Sequence, residues 1–356
     1  MNETFLTHSL PSRSVRLADG REFSWFSGTD YLGMGHDKVF LAHLTEGFQR
    51  YGTHYGSSRN GSLRLAVYEE VEASLAAFVG APAALVVSSG MWAGQLVLSN
   101  AEFLTAQIHY APRVHPALWG PGYVSQEVTW LEWLGQTIQT IQQSDERQTQ
   151  VVCTDAVGSP WVEEYDLQLL HELPNDRHIL LIVDDSHGLG VLGEGGMGVF
   201  SQLPQKDNLR SIVTASLNKA LGVPGGVIFG DKDFIQSIRL SPRFAGSSPA
   251  APAYFYALQQ NLAKGIFQEA HQKIMANIRY FTKKLSRPNL LETIENYPVF
   301  CSRDPKLYPY LLENKILTSH FSYPQPTDPP IVRLVITASH QKEDLDRLGE
   351  VLFNFE

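Results

Sequence analysis

The stretch His178–Gly198 reads "HILLIVDDSHGLGVLGEGGMG". Ile179 to Val183 are apolar without alternation, which suits a strand buried on both faces of a parallel sheet covered by helices. Asp184, Asp185, Ser186 and His187 follow where such a strand would end. A literal G-x-G-x-x-G comes next, at Gly188, Gly190 and Gly193. In a dinucleotide site those glycines would open a helix directly after the strand. Here four polar residues intervene and Gly195, Gly196 and Gly198 follow, so no stable helix is expected and a nicotinamide-cofactor site is disfavoured. An inert glycine loop would explain the glycines. It would not explain an aspartate and a histidine three residues apart at a strand end.

Runs of the same kind flank this one: "AALVVSSG" (83–90), "QVVCTDAVGS" (150–159), "SIVTASLNK" (211–219) and "GGVIFGD" (225–231). Helical patterns lie between them. In "LRLAVYEEVEASLAAFVG" (63–80), Val67, Val71, Leu75 and Phe78 are expected on one face. Strands alternating with helices predict an α/β doubly wound core with a mostly parallel sheet. From about Pro252 the pattern changes. "AYFYALQQNLAKGIFQEAHQKIMANIRYFTKKL" (253–285) has no proline and reads as one long helix. "IVRLVITASH" (331–340) then reads as a strand and "KEDLDRLGEVLF" (342–353) as a closing helix. The expected division is an N-terminal segment, 1–35, packing with a small C-terminal α+β domain, 251–356, and a large domain at 36–250.

Composition bounds the function. The chain has 356 residues and a net charge of −9, which argues against non-specific binding to nucleic acid or an anionic membrane. Two distant cysteines, Cys153 and Cys301, make neither a metal-ligand pattern nor a disulfide framework. The start, "MNETFLTHSL", lacks the basic and apolar blocks of a secretory signal. A cytoplasmic protein without a metal is expected.

In open α/β sheets, ligands bind beyond the C-terminal ends of the strands, and there the informative residues cluster. Lys219 ends one strand and Asp184 another. Pyridoxal phosphate needs such a pair: an amine for a Schiff base, and an acid on the pyridine nitrogen so that the ring stays protonated and withdraws electrons. Burial and nearby cations lower a lysine's pKa and favour that linkage. A phosphate needs N–H donors at a helix N-terminus. Ser88, Ser89 and Gly90 end a strand before a helix-compatible stretch and could supply them, although an ordinary helix cap would look the same.

Six colinear segments resemble the α-oxoamine synthases, pyridoxal-phosphate enzymes that join an amino acid to an acyl-CoA with loss of CO₂. They are "DYLGMGHD" (30–37), "RYGTHYGSSRNGS" (50–62), "FVGAPAALVVSSGMWAGQ" (78–95), "VDDSHGLGVLGEGGMG" (183–198), "SLNKALGVPGG" (216–226) and "VRLVITASH" (332–340). The resemblance implies an aminotransferase-like fold type I and a homodimer with its active site at the interface. By position it implies that Lys219 holds the cofactor and acts as base, that Asp184 meets the pyridine nitrogen, and that His187 meets the ring hydroxyl oxygen. His115 would stack on the ring, and Ser89, Gly90, Met91 and Ser216 would contact the phosphate. Ser247 would reach the phosphate, within its own subunit or across the dimer. Ser159 would line the pocket, and Arg333 would grip the substrate carboxylate. For His115 the plain alternative is packing beside Trp119, and for Arg333 a strand-edge ion pair.

Asp30 stands where the family usually has asparagine near that carboxylate. A negative charge there would repel the substrate unless Asp30 is protonated or turned away. "DDSH" replaces Asp-Glu-Ala-His, "AVGSPWVEEYDL" (156–167) keeps little beyond Ser159, and the N-terminus is short for the family. The alanine-using subgroup, which is compact and lacks targeting extensions, is the first expectation. A glycine-using ligase follows, then an aminotransferase, then a degenerate cofactor-binding protein.

Overall fold

The computed structural model describes residues 4–102, 106–120, 122–285, 287, 289–323 and 327–356. The N-terminal segment expected at 1–35 thus begins outside the described residues. In chain order the strands and helices are β1 (Ser14–Arg16), β2 (Glu22–Phe26), α1 (Lys38–Tyr51), α2 (Ala66–Val79), β3 (Ala83–Val87), α3 (Gly90–Glu102), β4 (Gln107–Tyr110) and α4 (Trp130–Gln143). Next come β5 (Gln150–Asp155), β6 (Ile179–Asp184), β7 (Leu209–Ser216), β8 (Gly226–Gly230), α5 (Lys232–Arg239), α6 (Pro242–Ala245) and α7 (Pro252–Ala263). The chain continues with α8 (Ile266–Thr282), β9 (Val299–Ser302), α9 (Leu307–Glu313), β10 (Ile316–Phe321), β11 (Ile331–Val335) and α10 (Lys342–Phe353).

Contacts divide the chain into two compact units. The larger holds Lys38–Gly158 and Tyr165–Ile266. Its six-stranded sheet has the order β3-β8-β7-β6-β5-β4. β4 to β7 run parallel to one another, while β8 pairs antiparallel with both β7 and β3. Every residue of β5 and β6 is buried, as unbroken apolar runs in a helix-covered parallel sheet require. α2 buries Val67, Val71, Leu75 and Val79. The fourth contact is Val79 rather than the expected Phe78, because four residues on from Leu75 is nearer one full turn.

The smaller unit holds Met1–Asp37, Ser159–Glu164 and Phe267–Glu356. Its five-stranded sheet has the order β1-β2-β10-β11-β9. β2 pairs in parallel with β10, and the other pairs are antiparallel. Phe26, Phe281, Phe300, Leu307, Leu334 and Leu345 belong to its apolar core.

The expected single helix over 253–285 is two helices. α7 stops at Ala263, and Gly265 takes φ +71° before α8 begins. A left-handed residue cannot continue a right-handed helix, and glycine pays no Cβ penalty there. The division between units falls at this break, so residues 252–266 belong with the larger unit.

Candidate active site

In the larger unit, three parallel strands end side by side. The register aligns Asp155 of β5 with Asp184 of β6, and Asp184 with Thr214 of β7. Residues in register on neighbouring parallel strands share a face. Two carboxyl groups and a hydroxyl therefore form one row at the C-terminal edge, where such sheets bind ligands.

Asp184 is buried, and its Oδ1 accepts the Ser186 N–H at 2.8 Å. Its Oδ2 lies 3.9 Å from Nδ1 of His115. That contact is not an ion pair. His115 Nδ1 already accepts the Ala117 N–H at 3.2 Å, so it carries no proton, and burial holds the imidazole below its usual pKa against the pull of Asp184. Oδ2 receives no hydrogen bond from any described residue, and a protonated ring nitrogen is the kind of donor it lacks. The residues present fit pyridoxal phosphate on this count.

His115 caps the short 3₁₀ turn Pro116–Leu118. Its own N–H donates to both oxygens of Asp155, at 3.0 and 3.3 Å. Burial and the neighbouring Asp184 push the Asp155 carboxyl well above the ordinary range. Lys219 sits half-buried in the turn after β7, close enough for its charge to act on both Asp155 and His115. His187 is half-buried in the turn after β6.

The phosphate-type features gather at the start of α3. Ser89 Oγ accepts the Trp92 N–H at 3.1 Å, and helix geometry leaves the Gly90 and Met91 amides without an intrahelical acceptor. A Cβ on Gly90 would sit 2.7 Å from Cβ of Ser216. Only glycine lets α3 begin against the end of β7. Ser216 donates its own N–H to Ser186 Oγ at 2.8 Å, which ties the ends of β6 and β7 together. Met91 is exposed. Ser247 accepts from the Trp92 indole at 2.7 Å and donates to the Arg243 carbonyl at 2.5 Å, both within its own chain.

The glycine loop after β6 folds around a carboxyl rather than presenting itself to a ligand. The Asp185 side chain occupies the space where a Gly188 Cβ would stand, and its Oδ2 accepts the Val199 N–H at 2.9 Å. Burial pushes this acid up to about 8.

Arg333, Asp30 and Ser159 lie in the smaller unit. Arg333, on β11, is 4% exposed. It donates to the Tyr31 hydroxyl at 2.9 Å and to the Gly28 carbonyl at 3.3 Å, while its Nε has no acceptor. Among the described residues no carboxylate lies within ion-pair range of it, so a strand-edge ion pair does not account for it. A buried guanidinium held by neutral oxygens is suited to receive a carboxylate in two parallel hydrogen bonds. Asp30 turns both oxygens to backbone, accepting from Met34 N–H at 2.8 Å and Gly35 N–H at 3.0 Å. Burial nevertheless raises its pKa. Ser159 is half-buried at the start of the Ser159–Glu164 segment.

The sequence reading missed Asp155, Ser186 and Tyr31. Asp155 had a signal, since it closes a buried run as Asp184 does. Tyr31 sits beside Asp30 inside a motif already singled out. Among the described residues, no group of three or more His, Cys, Asp or Glu side chains could hold a metal, and no helix is long and apolar enough to cross a membrane.

The sequence profile of the family described as Aminotransferase class I and II matches residues 121–352. The chain is 27% identical over 348 residues to 8-amino-7-oxononanoate synthase of Nitrosomonas europaea, covering 94% of this chain and 90% of that one. It is 28% identical over 350 residues to the Petrotoga mobilis enzyme of the same name, covering 92% and 87%. A solved serine palmitoyltransferase from S. paucimobilis superposes with a TM-score of 0.82 at 17% identity, covering 98% of this chain and 91% of that one. The 8-amino-7-oxononanoate synthase structure from Francisella tularensis gives 0.69 at 20% identity, covering 93% and 96%. These structures share the aminotransferase-like fold.

Proposed function

The chain belongs to the aminotransferase class I and II family, and from that premise we propose that it is a pyridoxal-phosphate enzyme condensing an amino acid with an acyl-CoA thioester, with loss of CO₂, in the manner of an 8-amino-7-oxononanoate synthase. L-Alanine is the proposed amino acid. The observation that carries the condensing reaction is the likeness to proteins of that name along nearly the whole chain. The chemistry of the site agrees with it.

When bound, pyridoxal phosphate supplies a ring that accepts the charge developing at the substrate's Cα. Asp184 holds a carboxylate for the ring nitrogen. Lys219 holds the cofactor and, once freed, takes the Cα proton. His115 faces the ring as a neutral imidazole, and His187 serves the ring hydroxyl. Ser89, Gly90, Met91 and Ser216 bind the phosphate through first-turn amides and hydroxyls. Arg333 orients the substrate carboxylate. Asp30 offers that carboxylate no free oxygen, since both of its own cap backbone N–H groups. Ser159 lines the pocket. The working unit is a homodimer with its active site at the interface. Ser247 acts as a brace in its own chain, through Trp92 at the start of the phosphate-binding helix.

The test is a visible titration of the purified protein with L-alanine, glycine and L-serine, with and without acyl-CoA, followed by assays for free CoA thiol and CO₂. Thiol and CO₂ released together with L-alanine support the proposal. Release with glycine alone moves the substrate to glycine. Conversion of the cofactor to its amine form by amino acid alone, with no thiol released, identifies an aminotransferase. A protein that takes up no pyridoxal phosphate defeats the reading.

A further inference from the structure

Asp155 has no role in the chemistry above, yet it lies at the centre of the site. It is buried at the C-terminal end of β5, in register with Asp184, and about 4.8 Å separates neighbouring strands. Two buried anions at that spacing repel strongly unless something compensates them. Compensation is unequal. Asp184 has the Ser186 N–H on one oxygen and an open position for a cofactor nitrogen on the other. Asp155 has one main-chain N–H, that of His115, shared by both oxygens. The groups facing Asp155 are Asp184 from β6, Lys219 from the turn after β7 and His115 from the turn after β4. Tyr123 and Cys153 also sense its charge. Lys219 is the one cation among them, and the proposed function commits its amine to the cofactor.

We infer that Asp155 is a positioning residue of the cofactor site: as a neutral acid it holds the main chain of His115, and so the imidazole, beside Asp184, and leaves Asp184 as the single negative charge of the row. The inference rests on the cofactor reading for its consequence, and on the geometry of this chain for its cause. The upward push on the Asp155 carboxyl from burial and from Asp184 agrees with it. A protonated Asp155 still accepts the His115 N–H through its carbonyl oxygen. It is then nearly isosteric with asparagine, whereas alanine removes the acceptor and leaves that N–H buried without a partner.

The experiment compares the wild type with Asp155→Asn and Asp155→Ala in two measurements. The first is pyridoxal-phosphate affinity by equilibrium dialysis, with a pH titration of the bound cofactor's visible absorption from about pH 6 to about pH 9. D155N should hold cofactor within about threefold of wild type and titrate with the same midpoint, while D155A should bind about tenfold more weakly. D155A equal to wild type would overturn the positioning role. D155N as weak as D155A, or a midpoint displaced by about one unit or more, would overturn the neutral state. The second measurement is melting of the cofactor-free proteins between about pH 5 and about pH 8. A raised carboxyl pKa makes wild-type stability fall as pH rises through this window, and asparagine does not titrate, so the Tm advantage of D155N should grow with pH. A constant difference would overturn the neutral state. Failure of the wild type to bind pyridoxal phosphate would count against the proposed function, and the melting series would still decide the charge of Asp155.

Discussion

The edge of the larger unit's sheet and the arginine pocket of the smaller unit handle buried charge in opposite ways. At the sheet edge, two aspartates, a lysine and a histidine crowd together, and burial with that crowding raises the pKa of Asp155 and lowers that of His115. Around Arg333, one cation is enclosed by a phenol and a carbonyl, with no acid among the described residues to neutralise it. An enclosed ion without a counterion costs stability unless a ligand later supplies one. Under the proposed function, the sheet edge controls where protons sit and the arginine pocket receives an anion.

Lys219→Ala tests the sheet edge most severely. Removing the proton-moving amine should lower turnover by about a thousandfold or more. It should also abolish borohydride-dependent fixation of the cofactor, read by mass spectrometry. If fixation persists, another lysine carries the cofactor.

Arg333→Leu tests the other region. Amino-acid KM should rise by about a hundredfold, because a buried charge pair is lost. Cofactor affinity should stay near wild type. A fall in cofactor binding with KM unchanged would mean that the two regions do not divide the work in this way.

Gly90→Ala should weaken cofactor binding by about tenfold, since the new methyl group overpacks Ser216. Dialysis measures it, and unchanged affinity would show that the start of α3 can shift without consequence.

Asp185→Asn has the mildest expected effect and sharpens the account of the sheet edge. The carboxyl of Asp185 is raised by burial to about 8. A folded-state pKa above the unfolded value means that the folded protein binds the extra proton, so stability is greatest at low pH and declines between about pH 4 and about pH 8. Denaturant melts at several pH values should show this decline in the wild type and a flatter profile in D185N. Equal slopes would place the Asp185 charge elsewhere.

Much of the fold was legible because the central strands are short apolar runs with abrupt polar ends. β3, β5, β6, β8 and β11 lie inside runs visible in the sequence, and β7 begins two residues before its run. β4, "QIHY", was not legible, being four residues long and half polar. Nor was the end of α7 at Lys264 and Gly265, where one glycine interrupts an otherwise helical pattern and only its positive φ stops the helix. At the site, Lys219 and Asp184 were marked by their neighbours along the chain. Asp155 was hidden because its partners, Asp184 and His115, are 29 and 40 residues away in sequence.

The sequence alone determined which residues close the strands, and with them the class of fold and the chemistry offered by Lys219, Asp184 and Arg333. Those properties follow from local hydrophobic pattern and from side-chain type. Tertiary structure decided the rest. It set the register that lines up Asp155, Asp184 and Thr214, turned the Asp30 carboxylate to backbone, gave the Asp185 acid to a glycine loop, and left Arg333 without a counterion among the described residues. These features depend on which groups meet after distant segments pack and on how much water is excluded where they meet, and no single stretch of chain encodes either.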